Sequence, residues 1–140
     1  MDQAHSLTPR ARHFEVAVVG GGPAGAALAI RLARRDLSVA LLEQTQYREP
    51  RIGETLPARV RPLLEELELR DAFVAQGHVP SHGIRSAWGT SELLDRPSLL
   101  DAYGDGWHVD RARFDALLAS SAQGALAAQE ARTAADALPI

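Results

Sequence analysis

The feature that most constrains this chain is a run of three glycines between an apolar segment and an alanine-rich one. Small and β-branched apolar residues fill positions 16–19, which is typical of a buried parallel strand. The strand pattern stops at Gly20, and a helical pattern begins at Pro23. Proline suits the first turn of a helix, because its missing N–H costs no hydrogen bond there. We therefore expect a strand, a tight turn and a helix in direct succession.

Gly20, Gly22 and Gly25 have the spacing G-x-G-x-x-G, and a glycine is needed at each position for a different physical reason. Gly20 lets the chain turn sharply out of the strand, and Gly25 lets the helix pack closely against the sheet. Gly22 removes a side chain where the backbone must approach a pyrophosphate. The first helical turn, with Pro23 and Ala24, offers N–H groups and a partial positive charge to a phosphate.

A second apolar segment, residues 37–42, ends at Glu43, about 20 residues beyond the glycines. A carboxylate at that place can accept hydrogen bonds from the hydroxyl groups of a ribose, and it would repel a ribose 2′-phosphate. The order of strand, glycine turn, helix, strand and acidic residue predicts a dinucleotide-binding βαβ unit. The alternative is an ordinary glycine-rich turn between a strand and a helix.

Composition excludes several classes of function. The formal net charge of −3 gives no electrostatic argument for binding nucleic acid or an anionic membrane. The chain has no cysteine, so disulfides, thiol chemistry and thiolate metal sites are excluded, and we assign no metal site. All 15 basic residues are arginine, which excludes a mechanism that needs a lysine. No apolar stretch is long enough to span a bilayer, and we expect a cytoplasmic protein.

The 140 residues suggest one domain with flanking segments. We expect a flexible leader over residues 1–12, because nothing there could bury an apolar face. The domain is expected over residues 13–122. Residues 123–140 form an alanine-rich tail whose structure the pattern does not predict.

Between these limits, apolar residues at helical spacing predict a helix over residues 57–69. Residues 84–90 have the composition of a strand, and residues 92–95 are a candidate antiparallel partner, which makes a small antiparallel insertion. Asp110 is expected to be the N-cap of a helix that starts at Arg111.

Three segments together resemble the N-terminal part of FAD-dependent oxidoreductases of the aromatic hydroxylase, flavin-dependent halogenase and geranylgeranyl-reductase-like superfamily. The first is the glycine turn with Glu43. The second is residues 50–57, Pro-Arg-Ile-Gly-Glu-Thr-Leu-Pro, and the third is residues 107–115, Trp-His-Val-Asp-Arg-Ala-Arg-Phe-Asp. The resemblance extends over about residues 14–119 and implies an α/β, Rossmann-like FAD-binding fold. Its parallel sheet is expected to be incomplete in this chain.

The resemblance also implies roles for individual residues. The backbone of Gly20, Gly22, Pro23, Ala24 and Gly25 would hold the FAD pyrophosphate, and Glu43 would bind the adenosine ribose. Arg51 would lie near the cofactor, and Arg111 would reach the pyrophosphate or the edge of the flavin. A guanidinium suits phosphate because it can donate two parallel hydrogen bonds. The alternative for Arg111 is a solvated arginine in the first turn of a helix. We assign no catalytic side chain.

The sequence therefore predicts the FAD-binding portion of a flavin-dependent oxidoreductase, monooxygenase-like, acting on a small molecule that the sequence does not identify. NAD(P)H is a candidate electron donor. Tryptophan halogenases of the superfamily resemble this N-terminal plan but use a lysine, which this chain lacks, so a halogenase is disfavoured for this segment as it stands. A missing C-terminal portion, with the later Gly-Asp motif, is expected to complete the fold. The alternatives are an NAD-binding dehydrogenase domain and a truncated, non-catalytic remnant of a flavoenzyme.

Overall fold

The computed structural model describes residues 12–136. All but the last residue of the leader predicted over residues 1–12 lies outside the described residues, as do the last four residues of the chain.

The structure begins with the βαβ unit that the glycine pattern predicts. Strand β1 (Val16–Val19) leads through the glycine turn into helix α1 (Pro23–Ala33), which returns the chain to strand β2 (Val39–Leu42). The two strands pair in parallel, in register from the first residue of each strand to the last. Parallel pairing brings their carboxyl ends to the same edge, directly beside the N-terminus of α1. The predicted α/β fold with parallel strands is confirmed.

The rest of the described chain adds two small antiparallel sheets and three helices. In chain order these elements are β3 (Thr55–Leu56), α2 (Val60–Glu66), α3 (Arg70–Ala75), β4 (Val79–Ser81), β5 (Gly83–Ser86), β6 (Leu94–Pro97), β7 (Gly106–His108) and α4 (Arg111–Asp136), with a 3₁₀ turn at Ser98–Leu100. Strand β7 lies between β3 and β4, and β5 pairs with β6. Pairing of β5 with β6 is the predicted antiparallel insertion, with bounds shifted by a few residues. Within the described residues, the parallel sheet has two strands.

Helix α4 runs without a break through residues 123–136, where the sequence pattern left the structure open. Alanine and glutamine favour helix, and the single glycine, Gly124, weakens the helix without breaking it. Long-range contacts hold this part of the helix in place. Arg132 donates a hydrogen bond to the carbonyl oxygen of Ala33 at 3.0 Å and pairs with Asp36, just beyond the end of α1. No element therefore ends at residue 122.

The main core lies between α1, α4 and the parallel strands, and it extends to α2 and α3. Phe73, which is 1% exposed, is the largest fully buried side chain among the described residues and packs edge-to-face against Trp107 and Phe114. These contacts join α3, β7 and α4 into the same core. Among the helices of residues 12–136, none combines the length and apolar character that crossing a membrane requires.

Candidate functional site

The glycine turn after β1 places open space in front of the N-terminus of α1. Gly20 has a φ of +99°, in the left-handed region that favours glycine, and its N–H donates to the carbonyl oxygen of Leu42 at 2.7 Å. A Cβ on Gly25 would lie 1.9 Å from the carbonyl oxygen of Gly20, whereas a Cβ on Gly22 would meet nothing within 4 Å. Gly25 is thus required by packing inside the protein, and the space at Gly22 is open to a ligand.

The first turn of α1 can receive an anion. Gly22 is the N-cap and has no side-chain capping hydrogen bond, and Pro23 is the first helical residue. The first intrahelical hydrogen bond runs from the N–H of Ala26 to the carbonyl oxygen of Gly22, so the N–H groups of Ala24 and Gly25 have no carbonyl of the preceding turn as partner. The first turn contains no acidic residue. Helix dipole and backbone N–H groups therefore both favour a phosphate here.

Glu43 follows β2 and turns its carboxylate toward the glycine turn. Its Oε2 accepts a hydrogen bond from the N–H of Gly21 at 2.7 Å. Its Oε1 accepts from the hydroxyl of Thr45 at 2.6 Å and from the Thr45 N–H at 2.8 Å. These hydrogen bonds lower the pKa of Glu43 from 4.5 to about 2, and the bond from the Thr45 hydroxyl has the largest effect. The group is therefore a carboxylate at any physiological pH, able to accept from hydroxyl groups and to repel a phosphate.

A cavity of about 480 Å³ opens at the carboxyl ends of the parallel strands. Val19, which is 83% exposed, and Leu42, which is 54% exposed, give it an apolar floor. Gly20, Glu43 and Gln44 complete its lining. Ligands of open α/β sheets bind outside the carboxyl ends of the strands, and a flat aromatic base needs an apolar surface of this kind.

The two arginines singled out by the sequence meet at one buried carboxylate. Arg111 directs Nε to Oδ1 of Asp115 at 3.0 Å and Nη2 to Oδ2 at 3.2 Å, one helical turn further along α4. Arg51 comes from the loop after β2, and its Nη1 lies 3.2 Å from Oδ2 of the same carboxylate. Asp115 is 0% exposed. The structure thus brings together two side chains that are far apart in the sequence.

The same arginines connect this carboxylate to the rest of the site. Nη2 of Arg51 donates to the hydroxyl of Thr45 and lies 3.6 Å from Oε1 of Glu43. Nη1 of Arg111 donates to the carbonyl oxygen of Ile52 at 2.7 Å, in the loop that leads to β3. A continuous polar network therefore runs from the glycine turn to this loop.

A second cavity, of about 290 Å³, lies beside the two arginines. Its charged lining residues are three arginines and two acidic residues: Arg48, Arg51, Arg111, Glu54 and Asp110. Guanidinium groups on its wall supply the bidentate donors that suit a phosphate. Among the described residues, no cluster of histidine, aspartate and glutamate has the arrangement of a metal site.

Sequence reasoning assigned no role to two participants in this site, Tyr47 and Asp115. Tyr47 donates its hydroxyl to the carbonyl oxygen of Gly21 at 2.8 Å, and the guanidinium of Arg51 lies 5.3 Å from the centre of its ring. Burial raises the pKa of Tyr47, and the Glu43 carboxylate raises it further. No local pattern predicts Tyr47, whose φ of +56° is unusual for a residue with a side chain. The contact of Asp115 with Arg111 could have been predicted, because Asp115 follows Arg111 by four residues on a predicted helix.

Comparisons with known proteins agree with this geometry. The profile of the family described as FAD binding domain matches residues 13–135. The chain is similar to a tryptophan 2-halogenase of Chondromyces crocatus, with 37% identity over 110 residues that cover 78% of this chain and 21% of that protein. The chain therefore spans about a fifth of the length of this relative.

Solved structures show the same relationship. The myxobacterial chondrochloren halogenase CndH, an FAD-dependent halogenase, is similar with a TM-score of 0.72 and 32% identity, over 80% of this chain and 27% of that one. A geranylgeranyl bacteriochlorophyll reductase-like protein from Thermoplasma acidophilum is similar with a TM-score of 0.62 and 25% identity, over 80% of this chain and 28% of that one.

Proposed function

The chain belongs to the FAD binding domain family, with relatives among the flavin-dependent halogenases, and on that premise we propose that it binds the ADP half of FAD in a monooxygenase-like oxidoreductase. The observation that carries the proposal is the open position at Gly22, in front of a helix N-terminus without a side-chain cap. The ionised Glu43 lies beside this position, at the end of the neighbouring strand.

The glycine turn fits a pyrophosphate. No described protein atom lies within 4 Å of a Cβ placed on Gly22, and the first turn of α1 supplies the N–H groups of Ala24 and Gly25 together with the positive end of the helix dipole. Gly25 keeps this turn close to β1, because its missing Cβ lets the backbone of Gly20 approach. The residues at 20–25 would therefore act together: Gly22 leaves space for the pyrophosphate, and the N–H groups of Ala24 and Gly25 donate hydrogen bonds to it.

Glu43 fits the adenosine ribose. Its carboxylate keeps lone pairs beyond the bonds to Gly21 and Thr45, and it stands at the rim of the apolar cavity floored by Val19 and Leu42. The hydroxyl groups of a ribose can donate to it, while a 2′-phosphate would meet a like charge. This arrangement favours FAD over a cofactor that carries the 2′-phosphate.

Arg51 and Arg111 would lie toward the phosphate and flavin side of the cofactor, on the wall of the second cavity. When bound, the flavin supplies the redox chemistry, and the protein orients and shields it. The residues of this chain would then bind, orient and neutralise charge, with no proton-transferring side chain assigned.

The reaction of the whole enzyme is a further proposal, because the chain spans about a fifth of the relative named above. We propose a monooxygenase-like reaction, with halogenation as the second candidate because the relatives named above include halogenases. We propose NAD(P)H as electron donor and a small molecule as substrate, with the rest of the active site supplied by a C-terminal portion. A cytoplasmic location stays a prediction.

Equilibrium titration of FAD with the purified chain, followed by flavin fluorescence, tests the proposal. We expect saturable binding that weakens at least about tenfold in Gly22→Val, where the added side chain fills the pyrophosphate position. Gly124→Val is the matched control, because a Cβ at either glycine meets no protein atom within 4 Å. Its FAD affinity should equal that of the wild type.

Competition separates the alternatives. Adenosine 5′-diphosphate should displace FAD, and adenosine 2′,5′-bisphosphate should do so only weakly because of Glu43. NAD that binds more tightly than FAD would favour the dehydrogenase alternative. A folded chain that binds neither cofactor would refute the proposal and leave a non-binding remnant.

A further inference from the structure

We propose that Asp115 is a positioning residue for FAD binding, whose buried carboxylate holds Arg51 and Arg111 in the orientation that meets the cofactor. The inference rests on the proposed function. It adds a residue that contacts no cofactor itself and acts through the two arginines.

The geometry at Arg111 is that of a fork on a carboxylate. Nε and Nη2 face Oδ1 and Oδ2 of Asp115 at 3.0 and 3.2 Å, so the plane of the guanidinium is fixed by two bonds rather than one. With that plane fixed, Nη1 points to the carbonyl oxygen of Ile52 at 2.7 Å and is 3.4 Å from that of Gly53. A Cβ on Gly53 would lie 2.7 Å from this nitrogen. Asp115 therefore orders the loop at residues 52–53 through Arg111.

Arg51 contacts Oδ2 of Asp115, the oxygen that also accepts from Nη2 of Arg111. Its Nη1 lies 3.2 Å from Oδ2 of Asp115, while Nη2 reaches Thr45 and approaches Glu43. Arg51 belongs to a loop without helix or strand, so local backbone structure does not set its direction. The carboxylate on α4 supplies the fixed point that this loop lacks.

The three side chains differ in how far they are buried. Asp115 is 0% exposed, whereas the side chains of Arg51 and Arg111 keep exposed fractions of 26% and 18%. Both arginines lie on the wall of the cavity of about 290 Å³. Each guanidinium has five N–H donors, and the contacts above use only part of them. The buried carboxylate thus engages part of the donors of two arginines that line the cavity.

Two guanidiniums beside each other repel, and the carboxylate between them compensates this repulsion. Without its charge, we expect the more exposed Arg51 to turn toward solvent and Arg111 to lose the second bond of its fork. The donors would then have to be ordered again whenever the cofactor binds, which lowers affinity.

The test is a double-mutant cycle on FAD affinity. We expect Asp115→Asn, which keeps the size of the side chain and removes its charge, to weaken FAD binding about tenfold. Arg51→Gln should weaken binding by a similar factor in the wild type and by less than about threefold in the Asp115→Asn background. Gln129→Leu is the control, because Gln129 is also a buried polar residue of α4 and contacts neither arginine.

A merely structural role would lower the urea midpoint of Asp115→Asn and leave the FAD affinity of the folded protein unchanged. That result overturns the inference, as do effects of Asp115→Asn and Arg51→Gln that simply multiply. If Asp115→Asn does not fold, FAD affinity is measured instead in a double-mutant cycle between Arg51→Gln and Arg111→Gln, since both arginines share the carboxylate. Effects of these two substitutions on FAD affinity that are independent of each other also overturn the inference. A wild-type chain that binds no FAD refutes the proposed function and this inference with it, whereas binding that is insensitive to Asp115 refutes the inference alone.

Discussion

Replacing Gly25 by alanine should destabilise the protein, although alanine is the better helix former. In a helix interior free of contacts, Gly→Ala stabilises by about 1 kcal/mol. At Gly25, however, the new Cβ would lie 1.9 Å from the carbonyl oxygen of Gly20, and also 3.3 Å from Cγ1 of Val18. Real Cβ contacts are essentially never shorter than 3.0 Å, so α1 and the turn must separate by more than about 1 Å.

Overpacking of this kind costs about 1 to 3 kcal/mol or more, and a clash with backbone lies at the upper end because no rotamer can relieve it. Subtracting the helix preference leaves a loss of about 2 kcal/mol in the free energy of unfolding, or a melting temperature lower by about 8 °C. Urea unfolding followed by circular dichroism measures it. Gly124→Ala in α4 is the control and should gain about 1 kcal/mol, because its Cβ meets nothing within 4 Å. Equal stabilisation of both variants would refute the close approach at Gly25.

Three further predictions concern pH, the core and the end of α1. The pKa of Glu43 is about 2 in the folded protein against an ordinary 4.5, so its contribution to stability is complete well above pH 4.5 and is lost as pH falls toward 2. Urea unfolding at about pH 6 and about pH 3 should show that the disadvantage of Glu43→Gln relative to the wild type becomes smaller at the lower pH without disappearing. Phe73→Ala should lower the unfolding free energy by about 3 to 5 kcal/mol, and a loss below about 1 would contradict its place in the core. Arg132→Met should cost about 1 kcal/mol in urea unfolding with FAD affinity unchanged, and altered affinity would contradict a purely supporting role.

The βαβ unit could be predicted because its signals are local. Gly20 needs a positive φ, Pro23 starts a helix, and Glu43 follows the second apolar run, so each residue reports its own backbone environment. The start of the helix at Arg111 could also be predicted from a local signal. The side chain of Asp110 accepts a hydrogen bond from the N–H of Arg113 at 3.1 Å, as expected of an N-cap.

Other parts of the fold depend on partners distant in the chain. Strands β3 and β4 are two and three residues long, too short for an alternating pattern, and they exist because β7 pairs with both. The last part of α4 has an alanine-rich composition without a clear apolar face. It is placed by the packing of Ala125 and Leu126 against the core and by the hydrogen bonds of Gln129 and Arg132 to the end of α1 and the residues just after it.

In the candidate site, sequence could name the arginines but not their arrangement. Arg51 and Arg111 were each expected near the cofactor, on separate motifs. Their common contact with Asp115 requires the loop after β2 to pass over α4, which no local pattern encodes. Tyr47 is a similar case, because its contact with Gly21 depends on the path of the same loop.

The most direct test of the account is the amount of flavin that the purified chain retains after mixing with FAD and gel filtration, in the wild type and in Gly22→Ala. Gly22 has a φ of −65° and no protein atom within 4 Å of a Cβ, so the variant should fold as well as the wild type and show the same urea midpoint. The account predicts visible flavin absorption in the wild-type fraction and a strong loss in Gly22→Ala. Equal retention by the two proteins, or no flavin with the folded wild type, would contradict a cofactor site at the glycine turn.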